Sequence, residues 1–155
     1  MKTVLFGCQV VCLLAASAFY AQNVVAQEPS AKGKECSDAT LRGSFGYTST
    51  GTLLESYVPP PFAGPFGEAG RQTFDGKGNT NATATVSSNG NISTVSINGT
   101  YTVNSDCTGS MTLNIPDFDT TVHANFVIDD NGTELRAIST DSGVIETRVY
   151  KKECH

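Results

Sequence analysis

GTYTVNSDCTG, residues 99–109, is the stretch of this sequence that decides the fold. Tyr101 and Val103 are two residues apart, so both side chains fall on one face of a β-strand, and threonines alternate on the other face. Residues 104–106 (Asn-Ser-Asp) then favour a tight turn, because their side chains hydrogen-bond to nearby backbone. Cys107 follows. The stretch therefore predicts a strand that runs into a polar turn carrying a cysteine.

The same plan repeats along the chain and predicts eight strands. The alternating segments are residues 41–48, 68–74, 80–87, 93–103, 111–115, 122–128, 135–140 and 144–151. Residues 36–40 predict one helical turn with Ser37 as its N-cap. Strands joined by tight turns form an antiparallel meander, and eight half-buried strands favour a closed up-and-down barrel, which has no exposed edges. A two-sheet β-sandwich gives the same alternation and is the alternative.

The barrel interior is predicted to contain both rings and small residues. Four aromatic side chains on inward faces are candidates to line a ligand cavity: Phe45, Tyr47, Tyr101 and Phe126. The small residues predicted to face inward are Gly43, Ala69, Ala82, Ala84, Gly99, Ala124 and Ala137. Eight strands leave room for a packed core or for one small ligand, so the small residues favour a cavity modestly. Alternatively, they simply accommodate the rings.

Residues 55–66 differ from the strands because they contain four prolines. Proline cannot sit in the interior of a sheet, so this segment predicts a stiff loop. The simpler interpretation is a surface connection whose Phe62 and Phe66 pack on the barrel end. The alternative is a lid over a cavity, with Phe62 as a further residue that lines the ligand site.

The N-terminus has the pattern of a secretory signal, in which Lys2 precedes an apolar run. We predict a signal peptide over residues 1–26, with cleavage after Ala18 as the second choice and a retained anchor as the alternative. Residues 27–35 are predicted to be a flexible linker and residues 36–155 the barrel domain. The mature protein is then secreted or periplasmic and has no membrane span.

The net charge limits the classes of partner, and the cysteines indicate a disulfide. Removing Lys2 with the signal leaves 9 of the 10 basic residues against 15 acidic ones, which argues against a nucleic-acid or anionic-membrane surface. Cys36, Cys107 and Cys154 remain, and in an exported chain a disulfide is expected. Three pairings are open. Joining Cys36 to Cys107 would attach the N-terminal segment to the central turn.

The sequence contains no nucleophile elbow, phosphate loop or zinc-protease motif, so we predict no catalytic residues, no metal and no cofactor. His123 is expected to lie on the outer face of its strand. Asp-Gly pairs such as Asp75-Gly76 fit hairpin turns better than calcium loops. The polar residues Glu68, Arg71, Gln72, Glu146 and Arg148 are expected mainly on the solvated face. The alternative is a polar patch at the floor or mouth of the barrel.

Three segments carry a resemblance to known proteins: residues 36–47 (CSDATLRGSFGY), residues 74–79 (FDGKGN) and residues 99–109. In this order they resemble the signatures of a group of small, exported, mostly uncharacterised bacterial proteins. The resemblance implies a calycin-like barrel, similar in outline to lipocalins and allene oxide cyclases, and it implies no activity. Cys154 lies outside the pattern, which favours a bridge between Cys36 and Cys107.

The leading hypothesis for function is non-catalytic binding of a small apolar ligand. One alternative is a structural or interaction module of the cell envelope or extracellular space. The other is an isomerase of the allene oxide cyclase type, which rests on fold analogy alone.

Overall fold

The computed structural model describes residues 35–154, which form a closed eight-stranded antiparallel barrel. The predicted signal peptide and residues 27–34 of the predicted linker lie outside the described residues. Each strand pairs with the next, and β8 pairs with β1 to close the barrel. This confirms the predicted barrel and excludes the sandwich. The strands are β1 (Arg42–Leu53), β2 (Gly64–Asp75), β3 (Asn79–Ser88), β4 (Asn91–Val103), β5 (Thr108–Ile115), β6 (Thr120–Asp129), β7 (Glu134–Ser139) and β8 (Val144–Lys152).

Alternation along each strand places the core inside the barrel, as the sequence predicted for most positions. Burial alternates residue by residue on β4 and β6, for example. The prediction for Ala69 was wrong, since this residue is exposed. Phe74 is buried and sets the phase of β2, so the residues an even number of positions away, Glu68 and Gln72, face inward with it.

One end of the barrel is closed by the N-terminal segment, and we call it the disulfide end. Cys36 and Cys107 form a disulfide with their Cα atoms 5.0 Å apart, which confirms the favoured pairing, and Cys154 is free and exposed. A 3-10 turn at Asp38–Thr40 follows, as predicted. The Tyr101 hydroxyl donates hydrogen bonds to the backbone oxygens of Asp38 (3.0 Å) and Leu41 (2.9 Å). The Val103 N–H also donates to Asp38 Oδ1, and the Cys36 N–H donates to the Ser105 carbonyl. Residues 99–109 therefore hold the N-terminal segment against the barrel by one disulfide and four hydrogen bonds.

The turn between β2 and β3 follows hairpin chemistry. Asp75 Oδ1 accepts hydrogen bonds from the backbone N–H groups of Lys77 (2.7 Å) and Asn79 (2.9 Å). Gly76 has a φ of 75°, a conformation that glycine adopts without steric cost. Hydrogen bonds from Asn79 and Lys77 hold the pKa of the Asp75 carboxyl below its ordinary value. In residues 35–154, apart from the side chain of Asp130, no group of three or more His, Cys, Asp and Glu side chains is placed to hold a metal ion.

Candidate functional site

Aromatic rings fill the half of the barrel nearer the disulfide end. Phe74 packs edge to face against Phe45 and Tyr101, with ring centroids 5.4 and 5.1 Å apart. Tyr47 and Tyr150 lie side by side at the middle of the barrel, with ring centroids 5.0 Å apart. Aromatic pairs in these geometries contribute about 0.5–1.5 kcal/mol beyond the area they bury. This half is a packed core.

The opposite end, which we call the mouth, contains a cavity of about 380 Å³. This volume lies within the range of about 300–1,000 Å³ that is usual for small-molecule sites. The wall is mostly apolar and the floor is charged. The wall includes Leu53, Val58, Phe62, Phe66, Val86, Val95, Ile115, Phe118, Val122 and Val144, and the floor is formed by Glu68, Glu146 and Arg148.

The proline-rich loop between β1 and β2 covers part of this cavity, and it is fixed at both sides of the mouth. The Leu54 N–H donates to the Gly143 carbonyl (2.8 Å) in the turn between β7 and β8. The Asn89 side-chain amide donates to the Pro61 carbonyl (2.8 Å) from the turn between β3 and β4. Strand β2 begins at Gly64, so the loop is shorter than the predicted residues 55–66. Its contacts place it over the mouth rather than away from the barrel.

Apolar side chains that are only partly covered mark the opening of the cavity. Phe62 on the loop is 43% exposed, and Phe118, in the 3-10 turn Pro116–Phe118, is 52% exposed. Asp117 fixes that turn, because its carboxylate accepts a hydrogen bond from the Ser96 backbone N–H (2.8 Å). A ligand that covered these rings would bury further apolar surface, which contributes about 25 cal/mol per Å².

Buried charges form the floor of the cavity. Glu68 on β2 is 8% exposed, Glu146 on β8 is 4% exposed and Arg148 on β8 is 5% exposed. Arg148 Nη2 lies 3.4 Å from Glu68 Oε2, and Arg148 Nε donates to Glu146 Oε1. The expectation that these three residues and Gln72 lie on the solvated face was wrong. It was right for Arg71, which is exposed and pairs with Glu153 at 2.9 Å.

Strand β1 completes this network and explains how charges are tolerated inside the barrel. The Tyr47 hydroxyl donates to Glu68 Oε1, and the Ser49 hydroxyl donates to Glu68 Oε2 at 3.4 Å. The Arg148 guanidinium carbon lies 5.6 Å from the centroid of the Tyr47 ring, within cation–π distance. A buried charge is costly unless it is both paired and hydrogen-bonded. Three strands therefore supply partners for both oxygens of Glu68 and for the Nε and Nη2 atoms of Arg148.

The surroundings fix the protonation of two of these groups. Burial, followed by the charge of Glu68, raises the pKa of the Tyr47 hydroxyl far above its ordinary value. Burial by itself lowers the pKa of the Arg148 guanidinium, but interactions with Tyr150, Glu68 and Glu146 more than reverse this, and its pKa lies well above the ordinary value. At neutral pH Tyr47 is therefore a hydrogen-bond donor and Arg148 a cation.

Two side chains that border the cavity each carry one donor atom that is buried and has no hydrogen-bond partner within residues 35–154. These atoms are Arg148 Nη1 and the Tyr57 hydroxyl. Burial raises the pKa of Tyr57, and the nearby Asp141 and Glu146 add to this effect, so its hydroxyl stays protonated at neutral pH. Buried donors are nearly always paired, so these two atoms are unsatisfied polar groups on side chains that border the cavity.

The structure separates the five residues that were predicted to line a ligand site. Phe62 borders the mouth cavity. Phe45, Tyr47, Tyr101 and Phe126 are buried in the core and are not among the residues that border it, although Tyr47 supports the floor through Glu68. Direct contact of a ligand with those four stays a prediction.

The residues of the charged floor were expected on the solvated face of their strands. On β8, the spacing from Tyr150 could have shown that they face inward. Glu146 and Arg148 share a strand face with Tyr150, which is fully buried. Ile145 and Val149, on the opposite face, are exposed. His123 is exposed as predicted, and its ring Nδ1 lies 2.8 Å from the Asp141 carboxylate.

Fold and site together define a closed eight-stranded β-barrel with one packed end and one end that holds a small cavity on a charged floor. No protein-family model and no curated protein matches the chain. Among solved structures it is similar to a redesigned β-barrel, with a TM-score of 0.54 and 18% identity over 76% of this chain and 95% of that one. It is also similar to the redesigned β-barrel mFAP1, bound to DFHBI, with a TM-score of 0.52 and 20% identity over 74% of this chain and 97% of that one. At these identities the likeness concerns the fold. Within residues 35–154, no helix has the length and apolar character needed to cross a membrane.

Proposed function

We propose that this protein binds a small, mostly apolar molecule in the mouth cavity without transforming it. The observation that carries the proposal is the cavity of about 380 Å³ beneath the proline-rich loop, with an apolar wall and a rim of partly exposed rings. A concave, largely apolar site with a few polar groups is the usual form of a ligand site. The likeness to a redesigned barrel bound to a small molecule agrees with this use of the fold.

The chemistry of the floor favours binding over catalysis. Both oxygens of Glu68 already accept hydrogen bonds, and the raised pKa of Tyr47 makes its hydroxyl a weak proton donor at neutral pH. We also propose that the protein works outside the cytoplasm, as the signal pattern and the disulfide between Cys36 and Cys107 support.

Thermal unfolding of the purified protein with a library of lipids and aromatic compounds tests the proposal. A ligand present at 100 times its Kd and bound only to the folded state adds about 2.7 kcal/mol to the free energy of unfolding. We expect at least one compound to raise Tm. Failure of the whole library would contradict the proposal.

A matched pair of variants locates the binding. Ser93 borders the cavity, so Ser93→Phe should fill it and abolish the rise in Tm. Thr94 is the next residue on β4 and faces solvent, so Thr94→Phe should retain the rise. A rise that survives Ser93→Phe would place the ligand elsewhere.

A further inference from the structure

In the floor of the mouth cavity, the buried Arg148 guanidinium lies beside the carboxyl groups of Glu68 and Glu146 and has one nitrogen without a hydrogen-bond partner. Arg148 uses Nε for Glu146 and Nη2 for Glu68, and the Tyr150 hydroxyl also lies near the guanidinium, but Nη1 makes no hydrogen bond within the described residues. Leaving a buried donor unpaired costs about 1–3 kcal/mol, and more for a charged group. A ligand atom that accepts a hydrogen bond from Nη1 would remove this cost.

The charge of the ligand is constrained by the same residues. Arg148 is the only basic side chain among the described residues that border the cavity, and Glu68 and Glu146 lie against it. Two ionised carboxylates would already exceed its single positive charge. A negatively charged ligand would add a further buried negative charge with no counter-ion, which low-dielectric surroundings penalise strongly.

A cationic ligand would be repelled by the Arg148 guanidinium. Both oxygens of Glu68 are engaged, by Tyr47 and by Ser49 together with Arg148, and Glu146 Oε1 accepts from Arg148 Nε. An ammonium group that approached Glu146 would lie beside the guanidinium that already pairs with this carboxylate. Like charges held close together disfavour that arrangement. Two fully buried polar atoms without a partner belong to side chains that border the cavity, Arg148 Nη1 and the Tyr57 hydroxyl, and both are donors at neutral pH.

We propose that the mouth cavity selects uncharged, mostly apolar molecules that carry a carbonyl-type oxygen, and that this oxygen accepts a hydrogen bond from Arg148 Nη1. The Tyr57 hydroxyl is a second donor on the cavity border, supplied by the covering loop. The inference rests on the proposed function, since it names the class of ligand for the same site.

Four probes that share a phenylethyl group separate the possibilities: the ketone benzylacetone, the carboxylate hydrocinnamate, the ammonium ion of phenylpropylamine and the hydrocarbon butylbenzene. Their Kd values for the wild-type protein are measured by calorimetric titration at neutral pH. We expect the ketone to bind about tenfold more tightly than each of the other three, the change that one well-placed hydrogen bond to a charged donor gives.

Each outcome has one meaning. Tightest binding of the carboxylate or of the ammonium ion overturns the inference. Equal binding of ketone and hydrocarbon also overturns it, while the proposed function stands. Binding of none of the four overturns the inference, and the proposed function falls only if the whole library of the thermal-unfolding test also fails.

Two variants test the assigned donors with the same probes. Arg148→Lys keeps the positive charge but has no Nη1, so the preference for the ketone over the hydrocarbon should disappear, and a retained preference would overturn the role of Arg148. Tyr57→Phe removes a hydroxyl that has no partner within the described chain, so the fold should be undisturbed. We expect this variant to retain the preference for the ketone, because the Arg148 donor remains, and a complete loss would reassign the contact to Tyr57. If Arg148→Lys does not fold, the wild-type series and Tyr57→Phe decide.

Discussion

Arg148 on β8 and Glu68 on β2 meet inside the barrel across the intervening strand β1, with Nη2 3.4 Å from Oε2. Both side chains are almost completely buried. They come from the second and the last strand of the chain and become neighbours only because β8 closes onto β1. Both residues line the inner end of the mouth cavity.

Removing the guanidinium should destabilise the protein strongly. Arg148→Met leaves Glu68 and Glu146 buried without a counter-ion, and breaking a buried pair in this way costs about 3–5 kcal/mol. Urea unfolding followed by circular dichroism measures the change. The matched control is Arg136→Met on β7, where an exposed arginine pairs with Asp129, and its unfolding midpoint should hardly move. Equal effects of the two substitutions would contradict a central role for the buried pair.

The disulfide should contribute a large part of the stability. Cys36 and Cys107 are separated by 71 positions, and a closed loop of this length corresponds to about 4 kcal/mol in the chain-entropy account. We expect the double variant Cys36→Ala and Cys107→Ala to lose an amount of this order in urea unfolding. Cys154→Ala is the control, because Cys154 is exposed and forms no disulfide. A double variant as stable as this control would show that the bridge is dispensable.

Gly99 should tolerate no side chain, because a Cβ atom there would lie 2.1 Å from the Thr112 carbonyl oxygen of the neighbouring strand. Forcing strands β4 and β5 apart should cost about 1–3 kcal/mol, as overpacking does elsewhere. Gly67→Ala is the matched control, since the nearest atom to a Cβ there is 3.9 Å away. Chemical unfolding of both variants gives the comparison, and equal stability would be inconsistent with the close approach at Gly99.

Alkaline pH should weaken the fold through the buried tyrosines. Burial raises the pKa of Tyr47 and of Tyr150 above the ordinary value of 10.0. Above about pH 10 the unfolded chain therefore loses phenol protons that the folded chain retains, and the free energy of unfolding falls as pH rises toward the folded-state pKa. Urea unfolding at a series of pH values measures this fall.

The variant Tyr47→Phe provides the check on that pH dependence. It removes one of the raised phenols, so the fall in unfolding free energy above about pH 10 should be shallower than in the wild type. An identical slope in the two proteins would exclude Tyr47 as a contributor.

Much of the fold could be predicted because local rules and tertiary packing agree on most strands. On β6, Val122, Ala124 and Phe126 alternate with polar residues and are buried as the pattern predicts. The turn chemistry of Asp75 was equally readable, since its hydrogen bonds are made within four residues. On β2 and β8 two rules disagreed. Charged residues are expected to face water, but the alternation of inward and outward side chains, fixed by the buried Phe74 and Tyr150, places Glu68, Glu146 and Arg148 inside the barrel.

The sequence by itself determined the eight alternating segments, their turns and the proline-rich connection, because each depends on neighbours along the chain. Tertiary structure decided which cysteines pair, that the cavity lies at the mouth and that Glu68 and Arg148 face inward. The physical reason is desolvation. Burying a single charged side chain costs too much desolvation free energy, so sequence rules place it at the surface. It can be buried where distant strands bring a counter-charge and hydrogen-bond partners to the same place.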